Sequence, residues 1–419
     1  MKRILIVILL GILGLSMFLV AASNVKAQQS TVDWWTTFLH DTAHTGYSTS
    51  AGPTSNTLLW SYTTGNSIDY SSAAVVNGVV YFGSDDHYVY ALNAATGAFL
   101  WSYKTGNTID SSPAVANGIV YIGSIDDKVY ALNATDGVKI WSYTTGNRVE
   151  SSPAVVNGVV YVGSDDNKVY ALNAQTGIKI WSYSTGGAVV SSPAVANGVV
   201  YVGSEDDNVY AINAQNGQKD WSFSTGDQVD SSPAVANGLV YIGSEDYNVY
   251  GLSAATGSKV WSFSTGDEVD SCPVVANGVV YIGSEDYNLY ALNAASGSKM
   301  WSYSTGSQIE SSPAVADGIV YVGSDDNNVY ALNATTGSTV WTYGTNGIVD
   351  ASPAVANGVV YVGSKDDTMY AFGLITVPQP SPTIPEFPNQ AIDITLLALT
   401  LSTAFAITIA KNKKASWKI

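Results

Sequence analysis

Seven carboxylates recur through this 419-residue chain at matching places: Asp69, Asp110, Glu150, Asp230, Asp270, Glu310 and Asp350, each just ahead of a Ser-Ser-Pro or a close variant. Val190 stands at the one position of the series without an acid. A ring of such oxygens has two chemical readings. It would suit a hard cation, Ca2+ above all, because that ion takes oxygen ligands. It would equally form a solvated acidic rim, since carboxylates roughly 8 Å apart repel by only about 0.5 kcal/mol per pair in water and need no ion to coexist. A second series, Asp86, Asp126, Asp166, Asp206, Asp246, Asp286, Asp326 and Asp366, usually has another acid beside it. These read as turn residues whose side chains bond their own backbone. His40, Asp41 and His44 lie outside both series, and packing or capping explains them better than a metal. The single cysteine, Cys272, stands where the repeat has serine and reads as a packed thiol. No Ser-His-Asp set, metal cluster or phosphate loop is present, so no residue is assigned a catalytic, cofactor-binding or metal role.

The elements that must position these acids are written in the same period. Trp recurs at 60, 101, 141, 181, 221, 261, 301 and 341, stepping by 40 after a first step of 41, with the extra residue near Tyr70. One period, such as SSPAVANGVVYVGSEDDNVYAINAQNG continued to a Trp segment, holds four short strands. They are SSPAVAN, GVVYVGS, NVYAIN and a segment like KVWSFST, separated by Asn-Gly, an Asp-rich turn and Thr-Gly. Four antiparallel strands per unit of this length is the pattern of a propeller blade. Complete units run from Ser71 to Thr345; an eighth, from Ala351 to Phe372, lacks its Trp strand, while a spare one, NTLLWSYTT at 56–64, opens the chain. Pairing the spare strand with the truncated unit predicts an all-β, eight-bladed β-propeller of four-stranded antiparallel blades, closed by an N-terminal strand with no open edge. Trp rings are expected to pack between blades. Strand alternation sends the turns after the second and fourth strands to one face, which collects most of the acids, with the first series ringing the mouth of the central channel as the candidate binding site, and the other turns to a face bearing Lys139, Lys179, Lys219, Lys259 and Lys299.

The run GxVYxGSxDxxxYALNAxTGxxxW, as in Gly158 to Trp181, resembles the repeat of pyrroloquinoline quinone (PQQ) propellers over residues 56–373. The leader DWWTTFLHDTAHTGYS at 33–48 also looks like segments that precede such propellers. That resemblance implies the fold and leaves the activity open, because the family holds quinoprotein dehydrogenases and also non-catalytic scaffolds such as the outer-membrane assembly lipoprotein. The dehydrogenases cover their cofactor with a vicinal disulfide, which one cysteine cannot make, and Arg148 is the only arginine in the repeats. An acidic mouth would repel tricarboxylate PQQ, so no cofactor is expected and PQQ is disfavoured. A non-catalytic cell-surface scaffold binding envelope proteins or glycans is the leading reading. A self-assembling envelope protein and a PQQ-dependent dehydrogenase are the alternatives.

The formal charge of −17 argues against nucleic acid as a partner. Residues 1–27 read as a secretory signal: Lys2 and Arg3, an apolar run, then small residues at Val25 and Ala27. The organisation that follows is a leader over 28–55, the propeller over 56–373, a Pro-rich linker over 374–390 and an anchor over 391–419. Ile392 to Ala410 is long and apolar enough to cross a bilayer, and Lys411, Lys413, Lys414 and Lys418 favour the cytoplasmic side. Pro385-Glu386-Phe387, the apolar run and the basic end together resemble C-terminal sorting signals of archaeal surface proteins. The expected location is the cell surface, held by this C-terminal segment.

Overall fold

A computed structural model describes residues 33–373, so the signal, linker and anchor segments expected from the sequence lie outside the described residues. Within them the chain forms eight sheets, each of four consecutive antiparallel strands except where noted below. Blade two is representative, with Ala114–Ala116, Ile119–Ser124, Lys128–Asn133 and Lys139–Thr144 running from the axis outward. Blades one and three to seven begin at Ala74, Ala154, Ala194, Ala234, Val274 and Ala314. In blade eight the strands Ala354–Ala356, Val359–Ser364 and Thr368–Gly373 are completed by Leu58–Thr63, which pairs antiparallel with Thr368–Gly373. The predicted closure is therefore the observed one.

The repeated residues hold neighbouring blades together. Trp101 Nε1 donates to the carbonyl of Ala134 in blade two at 3.0 Å, and Tyr81 OH donates to the same oxygen at 3.1 Å. The Thr-Gly turn explains itself at this seam. Gly137 adopts φ +72°, and a Cβ there would sit 2.6 Å from the Trp101 ring, so only glycine lets the turn lie flat on the indole. At the last seam the leader supplies the acceptor: Trp341 and Tyr321 both donate to Pro53 O, at 2.9 and 3.0 Å.

The inner strands are shorter than the sequence suggests. Each spans three residues, and the Ser-Ser-Pro ahead of it lies outside the ladder. These serines serve a different bond set. Ser111 Oγ donates to Ser151 O in the next blade at 3.1 Å, while Ser112 N donates to Ser152 Oγ at 2.8 Å. The pattern passes from blade to blade and closes with Ser352 N on Ser72 Oγ at 3.0 Å. Small hydroxyl residues are needed because each must reach a neighbouring blade where the chains crowd at the axis. Cys272 takes a serine's place in this belt, buried, with Ser232 N donating to its sulfur at 3.1 Å; the packed-thiol reading holds.

The leader fills the axis. Its carbonyls accept from the inner strands in succession: Trp35 O from Val75, Thr36 O from Val115, Thr42 O from Val195, Ala43 O from Val235, Thr45 O from Val275 and Gly46 O from Val315. Tyr47–Ser48 then pairs in parallel with Val315–Ala316, adding a fifth strand to blade seven. Inner-edge N–H groups that would face an open channel are thus satisfied by the chain's own backbone.

Candidate functional site

The second acid series joins blades rather than merely shaping turns. Asp246 Oδ1 accepts from Asn248 N at 3.1 Å, as a turn residue should, but Oδ2 accepts from Tyr250 OH at 2.6 Å and from Gly226 N of the preceding blade at 2.7 Å. Asp286 and Asp326 repeat the arrangement with Tyr290 and Tyr330, while Asp126 and Asp166 keep only its Oδ2 half, accepting from Tyr130 and Gly106 N and from Tyr170 and Gly146 N. The expectation of a purely local turn bond is corrected: one carboxylate binds its own turn, its own third strand and the neighbouring blade.

The first acid series converges. Asp110, Glu150, Asp230, Asp270, Glu310 and Asp350 line one cavity of about 310 Å³ at the axis, with Val190 in the gap. Its deep end is made by Phe38 of the leader and by belt residues such as Ser192 and Cys272. The mouth of an open channel expected from the sequence is in fact a cup, because the leader closes it. Asp69, the remaining member of the series, does not line the cavity; Lys365 Nζ reaches it at 3.1 Å and Asp350 Oδ2 at 2.6 Å. Burial pulls the Lys365 ammonium down, but Asp350 and Asp69 outweigh it and hold it above the ordinary lysine range. Tyr70, the inserted residue, lines the cup, donates to Glu310 Oε2 at 3.1 Å and lies under Lys365, whose Nζ is 5.5 Å from its ring centre.

Partial burial and crowding keep protons on these acids. Burial, reinforced by Asp230, Glu285, Glu245 and Glu310, pushes Asp270 up to about 8. Burial likewise pushes Asp110, Asp165 and Asp230 up to about 7, with Glu150 contributing to each. The Oδ1 atoms of Asp230 and Asp270 are buried without a hydrogen-bond partner. Arg148 Nη1 is 3.7 Å from Glu150 Oε1 and is itself well exposed. Sequence reasoning missed three parts of the site: the leader floor, the inner partners such as Glu205, and the Lys365 clamp. Lys365 replaces the acid found at that position in most blades, and Tyr70 is the residue that breaks the period; both departures were visible in the sequence.

Ca2+ at the ring finds no support in the geometry. Among the described residues no group of three or more His, Cys, Asp or Glu side chains converges as ligands. The histidine cluster is a cap. Asp41 Oδ1 accepts from Ala43 N at 2.9 Å and Thr45 N at 3.2 Å, while His44 is buried, donates from Nδ1 to Pro233 O at 3.1 Å, and is pushed down to about 4 by burial. PQQ fits no better. The cup meets a tricarboxylate with acids, and the nearby Lys365 is engaged by Asp350 and Asp69.

A family model described as outer membrane protein assembly factor BamB matches the repeats over residues 49–152, 144–229, 223–313 and 304–374. The chain belongs to that family. Among solved structures, BamB from Moraxella catarrhalis superposes with a TM-score of 0.66 at 19% identity, covering 76% of this chain and 99% of that one. A europium-containing methanol dehydrogenase gives 0.71 at 14%, covering 82% and 98%. The computationally designed Ika8 protein gives 0.67 at 18%, covering 74% and 98%. At these identities the likeness is one of fold. No curated protein matches the sequence.

Proposed function

We propose that this BamB-family propeller is a non-catalytic scaffold at the cell surface, held by its C-terminal segment, which receives a basic segment of an envelope protein in its acidic cup. The observation that carries the reading is convergence. Six of the ring acids line one cavity with a closed floor, while the bases near it are few and engaged with acids. A guanidinium or ammonium entering the cup would meet acids from several blades at once and hold to them through charge-assisted hydrogen bonds. A glycan would find little in the cup to stack on beyond Tyr70 and Phe38.

The blades differ little around the cup, whereas catalysis needs an asymmetric set of groups with distinct roles. Membership of the BamB family supports protein partners over chemistry.

The test is capture of envelope proteins by the full chain in detergent, compared with Glu150→Gln/Asp230→Asn/Asp270→Asn. The reading expects a protein with a basic segment, retained by the wild type, released by salt and lost from the triple variant. Equal capture by both, or capture of this chain alone, overturns it. Dye reduction by the full chain with added PQQ and Ca2+ above a no-protein control would instead favour the dehydrogenase.

A further inference from the structure

Every outer strand carries a bulge just before or beside its tryptophan, as between Lys139 and Trp141 in blade two. A bulge re-aims side chains, and here it leaves the strand's first residues pointing outward. In blades one to three those residues and their neighbours are large and apolar: Phe99 and Leu100 are 52% and 41% exposed, Val138 and Ile140 60% and 46%, Ile178 and Ile180 68% and 50%. Leu58, 40% exposed, opens the outer strand of blade eight, which adjoins blade one. The result is an arc of exposed apolar residues over four adjacent blades. Blade four breaks it with Gln218 and Asp220, and blades five to seven keep single apolar residues beside Ser258, Ser298 and Ser338. In so regular a repeat, doubling of exposed apolar groups on one arc calls for a partner.

Two observations identify that partner. Lys139 and Lys179 sit between the apolar residues, with Asp136 as the acid in the same turns, so the arc mixes aliphatic groups with ammonium groups as lipid-interface surfaces do. The described chain also ends at the arc. Gly373 closes the third strand of blade eight and donates its N–H to Thr57 O at 3.0 Å, one residue from Leu58. Residues 374–419, with their apolar run Ile392 to Ala410, therefore continue from the face where the arc lies.

We propose that the arc formed by Leu58, Phe99, Leu100, Ile140, Ile178 and Ile180 rests on the polar surface of the lipid bilayer that the C-terminal segment enters. The disc then stands on blades eight and one to three, with its acidic cup turned away from the membrane. This rests on the anchoring part of the proposed function and not on what the cup binds.

The experiment reconstitutes the full chain in vesicles of equal parts phosphatidylcholine and phosphatidylglycerol containing a photoactivatable lipid, and maps labelled peptides by mass spectrometry. Labelling is expected over 97–104, 137–144 and 177–184, and not over 217–224 or the acidic turns. Phe99→Ser/Ile140→Ser/Ile178→Ser/Ile180→Ser should lower that labelling at least threefold while the chain still floats with the vesicles. Flotation without arc labelling overturns the proposal and leaves the anchor intact; failure to float overturns both. Arc-to-arc cross-links between two copies, with no lipid label, replace the bilayer by a self-association surface.

Discussion

Asp246 shows how much one repeated residue does. It accepts four hydrogen bonds from two blades, counting Asn248 Nδ2 at 3.2 Å beside the three contacts already described. Replacing it with alanine strands the hydroxyl of buried Tyr250, a loss that costs about 1–3 kcal/mol, while the exposed Gly226 N–H turns to water. Asp246→Ala should therefore destabilise the propeller by about 1–3 kcal/mol in a chemical denaturation series, whereas Asp227→Ala, exposed on the same face, should change it by less than about 0.5 kcal/mol. Equal effects from the two would show that the acid is a turn residue only.

At the scale of elements, closure of the disc depends on one short strand. Leu58–Thr63 carries Trp60, buried, whose Nε1 donates to Ala94 O at 2.9 Å and whose ring covers Gly97. Removing an aromatic side chain of that size from a packed seam costs about 3–5 kcal/mol. Trp60→Ala should lower stability by that amount and selectively speed hydrogen exchange in 368–373, because that strand loses its outer partner. Trp221→Ala, in mid-ring, should destabilise without selecting 368–373; if the two variants exchange alike there, the closing strand is no special seam. Blades and closure were legible because they are periodic: Trp60 announces an outer strand as clearly as Trp101 does, and the orphan finds the truncated blade by counting. The leader was not legible. Its contacts run through backbone carbonyls at Trp35, Thr36, Thr42, Ala43, Thr45 and Gly46, and carbonyls leave no signature in residue types. The serine belt was half legible: small residues at the axis could be read, but not that Ser112 bonds across to Ser152 instead of joining a ladder.

The acidic cup behaves as a property of the whole molecule, because no single acid in it titrates alone. In the unfolded chain each aspartate would release its proton near pH 4. In the fold, Asp270 holds it to about 8, and Asp110, Asp165 and Asp230 to about 7. Between those limits the native state binds more protons than the unfolded state, so stability falls as pH rises. The protein should have its highest melting temperature near pH 4 and lose stability steadily toward pH 9, a trend opposite to that of a protein held by paired carboxylates. Because the groups repel one another, salt should flatten the slope at the high-pH end. Asp230→Asn/Asp270→Asn should melt higher than the wild type at pH 8, by less at pH 5, and match it near pH 3, where the replaced acids are protonated in the folded and unfolded states alike. A melting profile that rises from pH 5 to pH 8, or a double variant that melts lower at both of these, would show that cations or conformational opening relieve the cup. The crowding of carboxylates over a closed floor would then no longer account for what the cup recognises.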